Sequence, residues 1–165
     1  MLYSKGDTVV CCGSGVCEIV DIRRERFSEK AENYYILNPV YEICPTKVFI
    51  PVANEKVRLR PLITKEEING YISAVGESEK VWVDDEKERE KAFSDIVKSG
   101  DYTKIIRMIG EIHEKQTEKK KSGGKLRQSD ERIMKDAEKT ISNEFAFVLD
   151  ISPEEVKNYI VKKLV

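Results

Sequence analysis

The sequence predicts an α+β chain, a small half-open β-barrel followed by a compact all-α bundle of about five helices. Three observations lead there. Short β-branched and aromatic runs punctuated by glycine turns occupy the first third of the chain. Helix-capping signatures and apolar stripes of helical period dominate everything after Thr64. The change of character falls near residue 60, so the expected domains are 1–60 and 61–165.

The strands come first. Gly6-Asp7 turns into a strand at Thr8-Val9-Val10, and Gly13-Ser14-Gly15 reverses the chain. Residues 16–22 then resume in near alternation, which makes a hairpin. Arg23-Arg24-Glu25-Arg26 ends that strand or begins a loop. NYYIL at 33–37 is a third strand. KVFIPV at 47–52 is a fourth, and Pro51 confines it to an edge or an end. Repeated short strands with such turns point to a small half-open barrel.

The helices follow. Thr64-Lys65-Glu66-Glu67 is a capping box that opens a short helix, with Gly76 ending it. Trp82 lies in the next connection. A helix over 84–99 carries Ala92, Phe93, Ile96 and Val97 on one face. Asp84, Asp85 and Glu86 suit the positive end of its dipole, and Gly100 is its stop. Asp101 caps a helix bearing Ile105, Ile106, Ile109 and Ile112. Residues 119–125, KKKSGGK, read as a basic loop. Ser129 starts a helix with Ile133, Met134, Ala137, Ile141, Phe145, Val148 and Leu149 as its stripe. Ser152-Pro153-Glu154-Glu155 starts the last, with Val156, Tyr159, Ile160 and Leu164 inward.

Composition narrows the function. The 165 residues are 40% hydrophobic, which fits a folded protein, and 36% charged, above the usual share of about 25%. The 29 basic and 30 acidic residues nearly cancel, which argues against a polyelectrolyte that coats nucleic acid. No run approaches the roughly 18 apolar residues of a membrane helix, and no leader pattern opens the chain. The expectation is a soluble, cytoplasmic protein. Nucleotide-binding glycine loops, a nucleophile elbow and paired histidines are missing from the sequence. The single histidine, His113, sits in a polar helical stretch and is expected to be solvent-exposed. The carboxylate pairs at 84–85 and 154–155 fall in helix first turns, where capping explains them. No catalytic residue, cofactor, resident metal or small-molecule substrate is therefore expected, and the chain reads as a non-enzymatic binding protein.

Three features could bind something. Cys11, Cys12, Cys17 and Cys44 lack zinc-knuckle spacing; they read as small buried residues in strands, with a thiol-based metal or redox sensor as the rival. The window 104–139 holds eleven basic and seven acidic residues, a surplus of four in a nearly neutral chain. Its basic members include Lys104, Arg107, Lys119, Lys120 and Lys125. Such a run either neutralises phosphates or is a solvated helical face. Trp82, flanked by Val81 and Val83, is either core or an apolar wedge of the kind that pries DNA base steps apart.

KGDTVVCCGSGVCEIVDI at 5–22 resembles the opening of the CarD/CdnL family of bacterial transcription regulators. VFIPV at 48–52 followed by VRLRPLI resembles its next landmark. Trp82, Lys87, VKSGDY and SDERIMKDAEKTISNEFAFVL follow in the order of its helical domain. The resemblance implies a Tudor-like N-terminal domain that binds the RNA polymerase β subunit. It also implies a helical domain that contacts promoter DNA, without sequence specificity, at the upstream edge of the melted bubble. There the wedge falls on Trp82 and a phosphate contact on Lys87, and the open complex is held. The polymerase-facing surface falls on Arg23, Arg24, Arg26, Lys47, Phe49 and Pro51. Several positions differ from the family pattern. Cys11-Cys12 replaces Tyr-Pro, and Ser14-Gly15 replaces His-Gly. Acidic Asp84, Asp85 and Glu86 stand where basic residues are frequent, and Phe49 stands where well-known members carry arginine. A protein adaptor without DNA binding is the alternative these acids favour.

Overall fold

The computed structural model describes residues 1–164, which divide into two compact units at Ile63/Thr64. The first is a five-stranded antiparallel sheet in the order β4-β3-β2-β1-β5. Its strands are β1 (Thr8–Cys11), β2 (Gly15–Glu25), β3 (Glu32–Pro39), β4 (Val48–Pro51) and β5 (Leu59–Arg60). Between β4 and β5 the chain forms a 3-10 turn (Val52–Asn54) and a one-turn helix, α1 (Glu55–Arg58), which the sequence pattern does not announce. The sheet has two edges, β4 and β5, so it curls without closing, and Pro51 is on an edge strand.

One face of the sheet is the core, formed by Val9, Cys11, Cys17, Ile19, Tyr35, Leu37, Ile50 and Leu59. The register places Ile22, Tyr35 and Ile50 in one cross-strand row and Arg23, Tyr34 and Pro51 in the next. A bulge lies between Ile19 and Asp21, where β2 carries one residue more than β3 opposite. Buried Glu55 ties the N-terminus to this core. Its carboxylate accepts hydrogen bonds from the Tyr35 hydroxyl and from Leu2 N (2.8 Å), and it pairs with the Met1 amino group at 3.5 Å.

The second unit contains α2 (Lys65–Ala74), a 3-10 turn (Val75–Glu77), α3 (Glu86–Ser99), α4 (Tyr102–Lys121), α5 (Gln128–Leu149) and α6 (Pro153–Leu164). The capping box at Thr64 is complete. Glu67 N donates to Thr64 Oγ1 at 3.1 Å, and Thr64 N donates to Glu67 Oε2 at 2.7 Å. Asp85 and Asp101 cap α3 and α4, and Gly100 closes α3 at φ 68°, where a side chain is strained. The core centres on Phe93, Ile105, Ile106, Met108, Ile109, Ile112, Ile141 and Phe145. Each such side chain contributes about 1.5–3 kcal/mol by leaving water. No helix among the described residues is long and apolar enough to cross a membrane.

Local expectations differ from the structure at several places, and α3 begins at Glu86 and not at Asp84, with Asp85 as its cap. Lys119, Lys120 and Lys121 form the last turn of α4, where their charges suit the helix dipole, so the loop begins only at Ser122. α5 starts at Gln128 with Arg127 in the cap position, because Leu126 is anchored in the core just before it, and Ser129 lies inside the helix. Of the stripe on α3, only Phe93 is fully buried; Ala92, Ile96 and Val97 are half-buried. His113 is half-buried, since α2, α3, α5 and α6 all pack around α4.

Candidate functional site

Trp82 sits in the irregular connection of residues 78–85, between the 3-10 turn and α3. Two buried charged side chains hold that connection. From α4, Glu111 accepts the backbone N–H groups of Val81 (3.1 Å) and Trp82 (2.7 Å) on Oε2, and its Oε1 accepts Arg107 Nε at 2.8 Å. From α3, Arg89 donates through Nη1 to the carbonyls of Val83 (2.8 Å) and Asp84 (3.1 Å). Its Nε and Nη2 meet the two oxygens of Asp130, on α5, at 3.0 Å each. Arg89 and Asp130 are 4% and 2% exposed, so this forked pair is shielded from water.

The indole is half-buried and packed on several sides. Phe93 meets it edge-on at 6.0 Å between ring centroids, and the Arg89 guanidinium lies 4.5 Å from its centroid. Lys115 Nζ lies 5.8 Å from the same centroid, and Asp84 Oδ1 accepts the ring N–H at 3.3 Å. Trp82 also forms one wall of an open cleft of about 570 Å³ lined by α2, α4 and the end of α6.

The basic residues cluster around this point. Lys115 and Lys119 are one turn apart on α4, on the side that meets Trp82. An ion pair between Arg127 and Glu86 brings the loop after α4 to the start of α3, so Lys87 and Lys125 share one end of the bundle. Lys87, Lys120 and Lys125 are exposed and Lys119 half-exposed, with no ion-pair partner among the described residues. Lys104 pairs with Asp101 at 3.8 Å. Arg107 is half-buried and turned inward to Glu111 and the Val75 carbonyl.

The sheet carries a second surface. On the face away from its core, Asp21, Ile36 and Phe49 form one row and Arg23, Tyr34 and Pro51 the next. Phe27, 60% exposed, stacks edge-on against Tyr34 (5.1 Å) and Phe49 (5.0 Å). An aromatic patch thus adjoins the free edge of β4. Arg23, Arg24, Arg26 and Lys47 are exposed; Arg23 leans on Glu25 at 2.5 Å, Arg26 follows β2 directly, and Lys47 precedes β4. The register sets Arg24 opposite Asn33, off the row of Arg23.

The cysteines divide. Cys11 and Cys17 are buried on neighbouring strands, while Cys12 and Cys44 are exposed, and all four are free. The Cys17 thiol hydrogen bond, with help from Ser14 and the charge of Arg58, lowers Cys11 to about 7 against the pull of burial. Cys17 is pushed up by the same bond and by desolvation. Among the described residues no three metal-ligating side chains cluster.

The model of the CarD-like/TRCF RID domain matches residues 3–63, and that of the CarD C-terminal domain matches residues 72–161. The chain belongs to the CarD family. No curated protein matches it. As a CarD-like chain it is a transcription-related factor that interacts with RNA polymerase, in a family of non-enzymatic transcription factors. Arg89, Glu111 and Asp130, which hold the Trp82 connection in this CarD-like chain, escape sequence reasoning, which treats the last two as members of a surface charge run. One signal was available: Arg89 falls four residues before Phe93, on the inward stripe of α3.

Proposed function

We propose that residues 1–63 dock on the RNA polymerase β subunit and that the helical unit contacts promoter DNA at the upstream edge of the bubble, stabilising the open complex. Docking uses the open β4 edge, to which a strand of the partner adds, with Phe49 and Pro51 beside it and Arg23, Arg24, Arg26 and Lys47 around it. In the helical unit Trp82 is the wedge. Lys87, Lys119, Lys120 and Lys125 meet phosphates, with Lys104 at the margin and Arg107 supporting Glu111.

The observation that carries this reading is the clamped Trp82 connection. An aromatic meant to act as a wedge has to be held by backbone bonds on both sides, and Glu111 and Arg89 supply them. The test is the lifetime of the open complex with Trp82→Ala. A shortened lifetime with polymerase binding intact is expected, and an unchanged lifetime refutes the wedge role. Whether stabilisation activates or represses depends on each promoter's slow step.

One observation favours a second reading, a protein adaptor without DNA contact. Asp84 and Asp85 are exposed beside the indole, and Asp84 occupies its ring N–H. Acids there repel a phosphate backbone. Promoter binding that weakens steeply with salt supports DNA contact, and its absence supports the adaptor.

A further inference from the structure

The cleft beside Trp82 is of base-binding size: its volume of about 570 Å³ falls within the roughly 300–1,000 Å³ usual for small-ligand sites. Its apolar wall is Trp82 with Ile72, Val75 and Leu164, whose Cδ1 packs onto α4 at Gly110, 3.0 Å from where a Cβ would stand. The charges around it are largely spent on one another. Arg107 answers Glu111 at 2.8 Å and Lys115 answers Glu118 at 3.1 Å. Lys163 donates to Asn69 Oδ1 at 2.7 Å and lies over the Tyr159 ring, which leaves Lys80, exposed in the connection before Trp82, against Glu114. A duplex backbone with its dense negative charge is poorly matched to that balance. A neutral, flat heterocycle with edge donors and acceptors is well matched, and so is one phosphate beside it.

The packing of the indole gives the direction of approach. Phe93 and the Arg89 guanidinium cover it on the protein side, and the cleft-lining Lys115 ammonium, 5.8 Å from the ring centroid on a flexible side chain, is what a stacking partner would displace. We infer that the cleft takes one unstacked nucleotide, its base against Trp82 and its phosphate toward Lys80. This rests on the DNA-contact reading above and adds to it a receptacle for a base freed at the bubble edge. A free nucleoside monophosphate presents the same chemistry.

Trp82 is the sole tryptophan, so the intact protein carries its own reporter. The full chain is titrated with a paired stem bearing a single-stranded flap, with the same stem bearing an abasic flap, and with AMP and adenosine. The intact flap is expected to quench Trp82 and to bind about tenfold tighter than the abasic one, the worth of one base stacked on an aromatic side chain. Quenching by AMP, stronger than by adenosine, supports the same site with a free nucleotide as its source. Ser73→Phe, placed in the cleft from an exposed position on α2, is expected to remove the flap preference. Lys80→Ala, on an exposed position outside any helix, is expected to erase the difference between AMP and adenosine. Equal binding of both flaps without AMP quenching overturns the inference. So does a flap preference that survives in helical, folded Ser73→Phe. If the inference fails while Trp82→Ala still shortens open-complex lifetime, only the cleft is lost. If Trp82→Ala is also silent, the wedge reading falls with it.

Discussion

Replacing Arg89 with methionine removes a guanidinium that serves two jobs at once. Two of its donors meet Asp130 at 3.0 Å each, and a third nitrogen satisfies the Val83 and Asp84 carbonyls at 2.8 and 3.1 Å. With the partners 4% and 2% exposed, Arg89→Met strands the Asp130 carboxylate in the interior and frees two carbonyls. Removing one member of a buried pair costs about 3–5 kcal/mol. That is a fifth or more of the roughly 5–15 kcal/mol a domain holds in reserve. Urea unfolding, followed through Trp82 emission and far-ultraviolet dichroism, reads the helical unit directly. With a urea slope of about 2 kcal/mol/M, the midpoint should fall by about 2 M. The double variant Arg89→Met with Asp130→Leu should recover much of that loss, because the stranded charge has gone. It should not restore Trp82 emission to the native position, since Val83 and Asp84 stay unbonded. A midpoint shift under about 0.5 M for Arg89→Met, or a double variant no more stable than the single, refutes the reasoning.

Other outcomes follow from single sites. Glu55 is held below its ordinary value of 4.5, chiefly by the Tyr35 hydroxyl and then by Leu2 N. Its contribution to stability is therefore present in full above pH 4.5 and is lost as pH falls through the lowered value. Glu55→Gln should weaken the sheet unit at pH 7 and flatten its acid unfolding limb, and an unchanged limb in a pH series would exclude the linkage. Maleimide labelling should modify Cys12 and Cys44 quickly and reach Cys11 and Cys17 only on unfolding; rapid labelling of Cys11, whose thiol ionises near 7, would revive the thiol-sensor reading. Thr64→Ala should cost about 1 kcal/mol by opening the capping box, measured as a loss of midpoint in the same urea assay.

What could be read in advance was local. Thr64, Asp101 and Gly100 act on neighbours within four residues, so their caps are written in short words of sequence, whereas Asp85, expected inside the first turn of α3, is its cap. Although β5, only two residues long, carries no pattern of its own, the other four of the five strands and the α+β order were legible for the same reason. The clamp on Trp82 was not. Arg89 meets Asp130 across 41 positions and Glu111 reaches Trp82 across 29, and a charged residue on a helix looks alike in sequence whether it faces water or a partner. The run at 119–121 looks like a loop by charge density, yet lysines at a helix C-terminus gain from the dipole, so α4 propagates through them. The family pattern pointed at Trp82, but nothing in one sequence discloses the cleft beside it, whose walls come from α2, α4 and α6.

The bulge in β2 decides how the sheet tolerates changes of length. Losing a residue inside a strand normally turns every later side chain over, so that core groups meet water and charged ones the core. At Val20 the chain already carries a surplus. Ile19 pairs with Leu37 and Asp21 with Ile36, so deleting Val20 leaves both pairings in place and keeps Ile22 inward and Arg23 outward. Deleting Ile22, two residues further on, has no such slack and would put the Arg23 guanidinium against Tyr35. The strand that presents Arg23 thus has a built-in splice point, where the chain can shorten by one without changing what it shows to a partner.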